Sequence, residues 1–144
     1  MIQKANMNDL PKLTELALEL WPDNAADKMY YDLGKIMMAG ESVFFLAYAE
    51  EKPVGFAQCQ LRHDYVEGTD TSPVGYLEGL FVKEAARQQG FAGKLLKACE
   101  DWARSEGCVE FASKCHIDDV DGLAFHLKLG FKEAGRIICF AKNL

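Results

Sequence analysis

A glutamate stands inside a segment that is otherwise apolar. The segment from Val74 to Val82 reads VGYLEGLFV, and its composition is typical of a buried β-strand. Burying a carboxylate is costly unless it is paired or has a chemical task. Glu78 is therefore a candidate general base or an anchor for a substrate ammonium group. A structural salt bridge is the alternative for this side chain.

A glycine-marked turn follows the strand and leads into a helix. Residues 87–93 read RQQGFAG, and apolar residues recur at helical spacing beyond them. A helix N-terminus offers backbone N–H groups without partners and the positive end of the helix dipole. Gly90 and the small Ala92 would let a phosphate come close to these groups, so the turn is a candidate anion site. A plain glycine cap is the alternative.

Apolar periodicity places both features in one mixed α/β domain spanning residues 1–144. The predicted order is βααβββαβαββ. It comprises strands over 2–5, 43–49, 54–61, 74–82 and 108–113, helices over 10–21, 29–40, 90–107 and 119–129, and a final pair of strands over 131–143. Gly79 interrupts the strand that carries Glu78.

Charge and composition exclude several classes of protein. The net charge of −6 argues against nucleic acid or an anionic membrane surface as partner and favours cationic ligands. No apolar run approaches the roughly 18 residues of a membrane span. The five cysteines lack CxxC spacing and are typical of reduced thiols in a cytoplasmic protein, and no set of metal ligands is present.

The turn resembles a motif of the GNAT superfamily of acyl-CoA-dependent N-acyltransferases. Residues 87–92 match its Arg/Gln-x-x-Gly-x-Gly/Ala pattern, between a strand and a helix as in that family. The resemblance implies a mostly antiparallel twisted sheet with helices on both faces, and a β-bulge at Gly79 that splays this strand from the next one. It also implies acetyl-CoA as co-substrate, and a homodimer. The implied cofactor-binding residues are Leu80, Phe81, Val82, Arg87, Gln88, Gln89, Gly90, Phe91, Ala92, Gly93 and His126.

A narrower resemblance extends over nearly the whole chain. Residues 62–82, RHDYVEGTDTSPVGYLEGLFV, are similar to a stretch of one subgroup of aminoglycoside 6'-N-acetyltransferases. Residues 20–23, 110–113 and 126–131 resemble further elements of that subgroup. The implied substrate is a cationic amine, an aminoglycoside. Such a polycation suits a carboxylate-lined cleft with aromatic faces. The candidate substrate-binding residues are Trp21, Asp64, Tyr65, Glu67, Asp70, Glu78 and Lys114.

The resemblance also implies a mechanism of direct transfer. Glu78 would assist deprotonation of the amine, the N–H of Leu80 would steady the oxyanion, and His126 would protonate or hydrogen-bond the leaving sulfur. A partly buried structural histidine is the alternative for His126.

One position departs from the subgroup. Lys114 stands where the subgroup usually has an aspartate, and a cation there would repel a polycation unless its side chain points away. This favours as alternatives an acetyltransferase for another cationic amine, such as a polyamine or a peptide N-terminus, or a CoA-binding module without turnover.

Overall fold

A five-stranded sheet forms the centre of the molecule. The computed structural model describes residues 1–144. The strands lie in chain order across the sheet: β1 (Ile2–Lys4), β2 (Ser42–Ala49), β3 (Lys52–Arg62), β4 (Val74–Val82) and β5 (Phe111–Ala112). The first four pair antiparallel, and β5 runs parallel to β4. The prediction of a mixed, mostly antiparallel sheet is confirmed.

Helices cover both faces of this sheet. They are α1 (Leu10–Leu20), α2 (Ala26–Ala39), α3 (Phe91–Ser105) and α4 (Val120–Lys128). Strand residues alternate between two cores, as the period of two in a β-strand requires. Phe44 and Leu46 pack in the core beneath α1 and α2, whereas Val43 and Ala47 pack in the core beneath α3. None of the helices is long and apolar enough to cross a membrane.

The bulge in β4 changes this alternation at the predicted place. Cys59 pairs with Leu77 and Gln58 with Gly79, so Glu78 has no residue opposite it in β3. As a result Leu77 and Leu80, three positions apart, both pack in the core beneath α3. The bulge directs the Glu78 side chain away from that core.

The C-terminal segment departs from the prediction. The pair of strands expected over 131–143 does not form, and the strand expected over 108–113 is reduced to Phe111–Ala112. Residues 132–144 are exposed throughout. The prediction is wrong for the single chain: the composition of this segment is β-rich, but a strand needs a neighbour with which to exchange backbone hydrogen bonds. Within the single chain this segment has none.

Candidate active site

Glu78 is paired with an arginine from the neighbouring strand. Arg62 donates from Nε and Nη2 to Oε1 of Glu78, at 3.0 and 2.5 Å. Its guanidinium lies 4.2 Å from the ring centroid of Tyr76, and burial raises the pKa of that tyrosine. The salt-bridge alternative for Glu78 is therefore present in the structure. The carboxylate nevertheless keeps 21% of its side-chain surface exposed, so a substrate can still reach it.

Trp21 covers the other residue of the bulge. A Cβ atom on Gly79 would lie 2.7 Å from two carbons of the indole, so only glycine fits beneath this ring. The ring also packs edge-on against Phe56, with 6.0 Å between centroids. Trp21 is thus a partial core anchor, and it packs against Gly79, the residue that follows the candidate base Glu78.

The strands β4 and β5 separate next to Glu78. Their pairing is limited to Gly75 with Phe111 and Tyr76 with Ala112. The N–H of Lys83 donates to Val54 in β3, and backbone direction alternates along a strand, which turns the N–H and C=O of Leu80 and Val82 away from β3. These groups face the open slot that begins beside β4 where β5 ends. Such a slot can accept an extended ligand as an additional strand.

The glycine-marked turn forms the N-terminus of α3. Gly90 at the N-cap has φ +85° and Gln88 has φ +62°, and no side chain caps the first turn. A Cβ atom added at Gly90 or Gly93 would meet no neighbouring group within 4 Å, so the space beside both glycines is open. Arg87 ties the turn to β4 by donating from Nε to the carbonyl oxygen of Val82 at 2.8 Å. This arrangement fits a pyrophosphate group.

His126 lies on α4 close to the end of β5. Its Nδ1 is 2.6 Å from the carbonyl oxygen of Gly122, and its Nε2 is 2.8 Å from Oγ of Ser113. Phe125 and Phe131 contact the ring edge-on at 5.7 and 5.2 Å between centroids. The histidine is half-buried and has a defined orientation.

The acidic loop between β3 and β4 borders a separate polar cavity of about 370 Å³. Its lining consists of His63, Asp64, Tyr65, Thr69, Asp70, Thr71 and Ser72. Glu110 closes the loop by accepting hydrogen bonds from the N–H groups of Asp70 and Thr71 and from the Thr71 hydroxyl. These bonds lower the pKa of Glu110, the Thr71 hydroxyl most strongly.

The two remaining substrate-binding candidates, Glu67 and Lys114, are both exposed. Glu67 is exposed and does not line this cavity; it lies near Gly135 of the C-terminal segment. Lys114 is exposed next to Ser113 and forms no salt bridge. The structure thus gathers Trp21 and Glu78 at the bulge and Asp64, Tyr65 and Asp70 in the loop.

Three residues of the candidate site were not predicted from the sequence: Arg62, Tyr76 and Ser113. Arg62 and Tyr76 meet Glu78 only through the register of β3 and β4, and Ser113 meets His126 only through the fold. The sequence offered one signal for Arg62. It stands at the end of β3, and β3 is the strand next to the one that carries Glu78. No local signal pointed to Ser113.

The fold and the site define an acyltransferase-like architecture: a bulged strand, a splayed neighbour and an anion-binding helix N-terminus. A model of the acetyltransferase (GNAT) family matches residues 10–131, and the chain belongs to this family. Among its relatives, the aminoglycoside N(6')-acetyltransferase type 1 of Stenotrophomonas maltophilia is 41% identical over 99% of this chain and 93% of its own length. The protein of that name from Salmonella typhimurium is 37% identical over 99% of this chain and 98% of its own.

Solved structures show the same likeness. AAC(6')-Iy in complex with the bisubstrate analogue CoA-S-monomethyl-acetylneamine superimposes with a TM-score of 0.95 and 36% identity, covering 100% of this chain and 98% of that one. The aminoglycoside 6'-N-acetyltransferase AAC(6')-Ih from Acinetobacter baumannii also gives a TM-score of 0.95, with 33% identity and the same coverage. The predicted family and fold are confirmed.

Proposed function

We propose that the protein transfers an acetyl group from acetyl-CoA to the 6'-amine of aminoglycosides. The observation that carries this proposal is the position of Glu78, whose carboxylate lies in the bulge where β4 parts from β5. The names of the relatives and the CoA–acetylneamine analogue bound by AAC(6')-Iy support the choice of both substrates.

Acetyl-CoA would be held mainly by backbone groups. The free amides at the start of α3, around Gly90 and Gly93, suit the pyrophosphate. The outward C=O of Leu80 and N–H of Val82 suit the pantetheine arm, and the N–H of Leu80 would stabilise the oxyanion. Phe81 pairs with Phe56 and faces the core beneath α1, so it supports the strand. Arg87, Gln88, Gln89, Phe91 and Ala92 would shape the turn.

The amine would be held at the bulge. An aminoglycoside is protonated at neutral pH, and its amine must lose a proton before it attacks a thioester. Glu78, directly or through water, accepts this proton, while Trp21 offers a flat apolar face for a sugar ring. Asp64, Tyr65 and Asp70 add negative charge and an aromatic surface in the neighbouring cavity. Glu67 contributes only to the local potential.

The test is thiol release from acetyl-CoA with a set of amine acceptors. Kanamycin and tobramycin are compared with spermidine and a short peptide. Neomycin and paromomycin form a matched pair, since paromomycin has a hydroxyl where neomycin has the 6'-amine. We expect release with kanamycin, tobramycin and neomycin and little with paromomycin. Equal release with neomycin and paromomycin would refute transfer to the 6'-position.

A second candidate function follows from Lys114. This exposed cation stands beside Ser113 at the end of β5 and would weaken the attraction of a polycation. It favours an acceptor with fewer charges, such as a peptide N-terminus. Release with the peptide alone would support this function, whereas binding of acetyl-CoA with no release for any amine would favour a module without turnover.

We further propose that the protein is a homodimer in which two copies exchange their C-terminal segments. Residues 132–144 include large apolar side chains that lie in solvent in the single chain: Ile137, Ile138 and Phe140 are 68, 80 and 90% exposed. A cluster of exposed apolar side chains is typical of an interaction surface. The outer edge of β5 is open in each copy. A second copy supplies both the missing strand and the missing edge, which makes it the natural partner.

We place the protein in the cytoplasm. Cys59, Cys99 and Cys108 are buried free thiols, and burial raises the pKa of Cys108. Buried free thiols of this kind suit a reducing compartment. With its net charge of −6, the protein has little attraction for nucleic acid or anionic membranes.

A further inference from the structure

Ser113 lies where β4 and β5 separate. Strand β5 ends at Ala112, and the next residue directs its hydroxyl across the gap to the carbonyl oxygen of Leu77, 3.4 Å away. Leu77 is the first residue of β4 beyond the paired region. The hydroxyl therefore stands at the narrow end of the slot, where the reactive end of an inserted arm would lie.

The hydrogen-bond partners of His126 decide which of its nitrogens can change protonation. A carbonyl oxygen only accepts, so Nδ1 must carry a hydrogen to bind Gly122 at 2.6 Å. Only Nε2 can gain or lose a proton, and it lies 2.8 Å from Oγ of Ser113. The edge contacts with Phe125 and Phe131 hold the ring in this orientation.

A serine hydroxyl has one hydrogen, so its direction depends on the state of the imidazole. When Nε2 is bare, the hydroxyl must donate to it. When Nε2 carries a proton, it donates to Oγ, and the serine hydrogen turns toward Leu77 and the slot. Protonation of His126 thus delivers a hydrogen to the slot through Ser113.

We propose that Ser113 passes a proton from His126 to the thiolate that leaves when the acetyl group is transferred. The inference rests on the proposed use of acetyl-CoA. The bond between carbon and sulfur breaks, its electron pair stays on sulfur, and the hydroxyl proton of Ser113 moves to sulfur. The Nε2 proton of His126 replaces it on Oγ. The amine loses its own proton through Glu78, and the neutral imidazole regains one from solvent.

The first test measures the ionisation of the thiol of bound CoA by its ultraviolet absorbance. Run in reverse, the relay carries the proton of the thiol through Ser113 to the bare Nε2 of His126, so Ser113→Ala should make the bound thiol ionise at higher pH than in the wild-type complex. Ser113→Thr keeps a hydroxyl and should restore the wild-type curve. The charged neighbours Lys114 and Asp119 are unchanged in both variants, so the comparison isolates the hydroxyl. Identical titrations of wild type and Ser113→Ala would overturn the proposal.

The second test uses turnover. Ser113→Ala should lower kcat for the best acceptor by roughly 10²-fold while leaving the dissociation constant of CoA unchanged. His126→Asn should give a similar loss, and the double variant should lose no more than either single one, because the two groups act as a unit. Additive losses would overturn the relay.

These outcomes separate the relay from the proposed function. If the wild type acetylates no aminoglycoside, the proposed acceptor is wrong, but the thiol titration still decides on Ser113 because it needs only CoA. If CoA does not bind the wild type, both proposals are refuted. In the protein without CoA, the ¹⁵N resonance of Nε2 should shift in Ser113→Ala, and an unshifted resonance would contradict the hydrogen bond on which the relay depends.

Discussion

The carboxylate of Glu78 forms a salt bridge with the guanidinium of Arg62 in the protein without substrate. Arg62 places two donors on one oxygen, Oε1, and the other oxygen, Oε2, accepts no hydrogen bond. A planar guanidinium stacked on Tyr76 holds this geometry better than a lysine would. The salt bridge and the catalytic role are therefore compatible, since Arg62 orients the group that meets the amine.

Replacing Glu78 by glutamine tests its role in proton removal. Glu78→Gln keeps the size and one acceptor oxygen but cannot take a proton, so kcat should fall by about 10²-fold or more while the affinity for CoA stays unchanged. Initial rates and calorimetric titration with CoA measure the two quantities. Glu19→Gln removes an exposed carboxylate that only pairs with Lys83 and serves as control. An unchanged kcat in Glu78→Gln would exclude Glu78 from catalysis.

The cofactor turn shows how an element can bind without charged side chains. Gly90 adopts a left-handed conformation that releases the first amides of α3 toward open space. The sequence predicted this turn because glycine spacing and helical periodicity are local signals.

Valine at position 90 should abolish CoA binding. Gly90→Val strains a residue with φ +85° and puts a branched side chain in front of the amides. The matched control is Gly107→Val, since Gly107 follows the C-terminal end of the same helix with φ +91° and has equal open space. Both variants should lose about 1–2 kcal/mol of stability. Only Gly90→Val should fail to bind CoA in calorimetry. Retained affinity would mean that the turn is not the phosphate site.

The acidic loop between β3 and β4 is held by the carboxylate of Glu110, the residue that directly precedes β5. The pKa of Glu110 is lowered by the Thr71 hydroxyl and the amides of Asp70 and Thr71. A lowered pKa means that this stabilisation is complete above the ordinary value of 4.5 and is lost as the pH falls through the lower value in the folded protein.

Glu110→Gln should therefore lower Tm at neutral pH and have progressively less effect in acid. Both side chains are neutral once Glu110 is protonated, so the two melting curves should converge as the pH falls below the lowered pKa of Glu110. Differential scanning calorimetry from neutral to acidic pH measures this. A difference in Tm that is independent of pH would show that the charge of Glu110 does not anchor the loop.

Local patterns predicted the hairpin of β2 and β3, the helices and the strand β4, because the apolar residues of each element recur with the period of that element. The bulge in β4 was implied only by the family resemblance. The pairing of Arg62 with Glu78 could not be predicted, since it depends on the register of two strands joined by the long loop 63–73. The contact between Ser113 and His126 depends in the same way on how α4 packs near β5. A site that combines residues from several elements cannot be predicted from local sequence patterns alone.

At the scale of the whole molecule, the C-terminal segment is the part whose sequence and structure disagree. Its isoleucines and phenylalanine favour a strand, yet residues 132–144 lie exposed beyond the sheet. The disagreement disappears if the neighbour that completes the strand belongs to another copy. Folding and association are then linked, so the apparent stability should rise with protein concentration.

Two aspartates in this segment should convert the dimer into a monomer. Ile138→Asp together with Phe140→Asp replaces side chains that are 80 and 90% exposed in the single chain, so the fold of one copy loses nothing while an exchanged strand would bury two charges. Met38→Asp, at a side chain 78% exposed on α2, is the control and should remain dimeric. Light scattering after size exclusion gives the mass, and melting at several concentrations gives the linkage. The wild type and the control should melt higher as concentration rises, whereas the double variant should not. A monomeric wild type, or a double variant that still dimerises, would contradict the exchange of C-terminal segments.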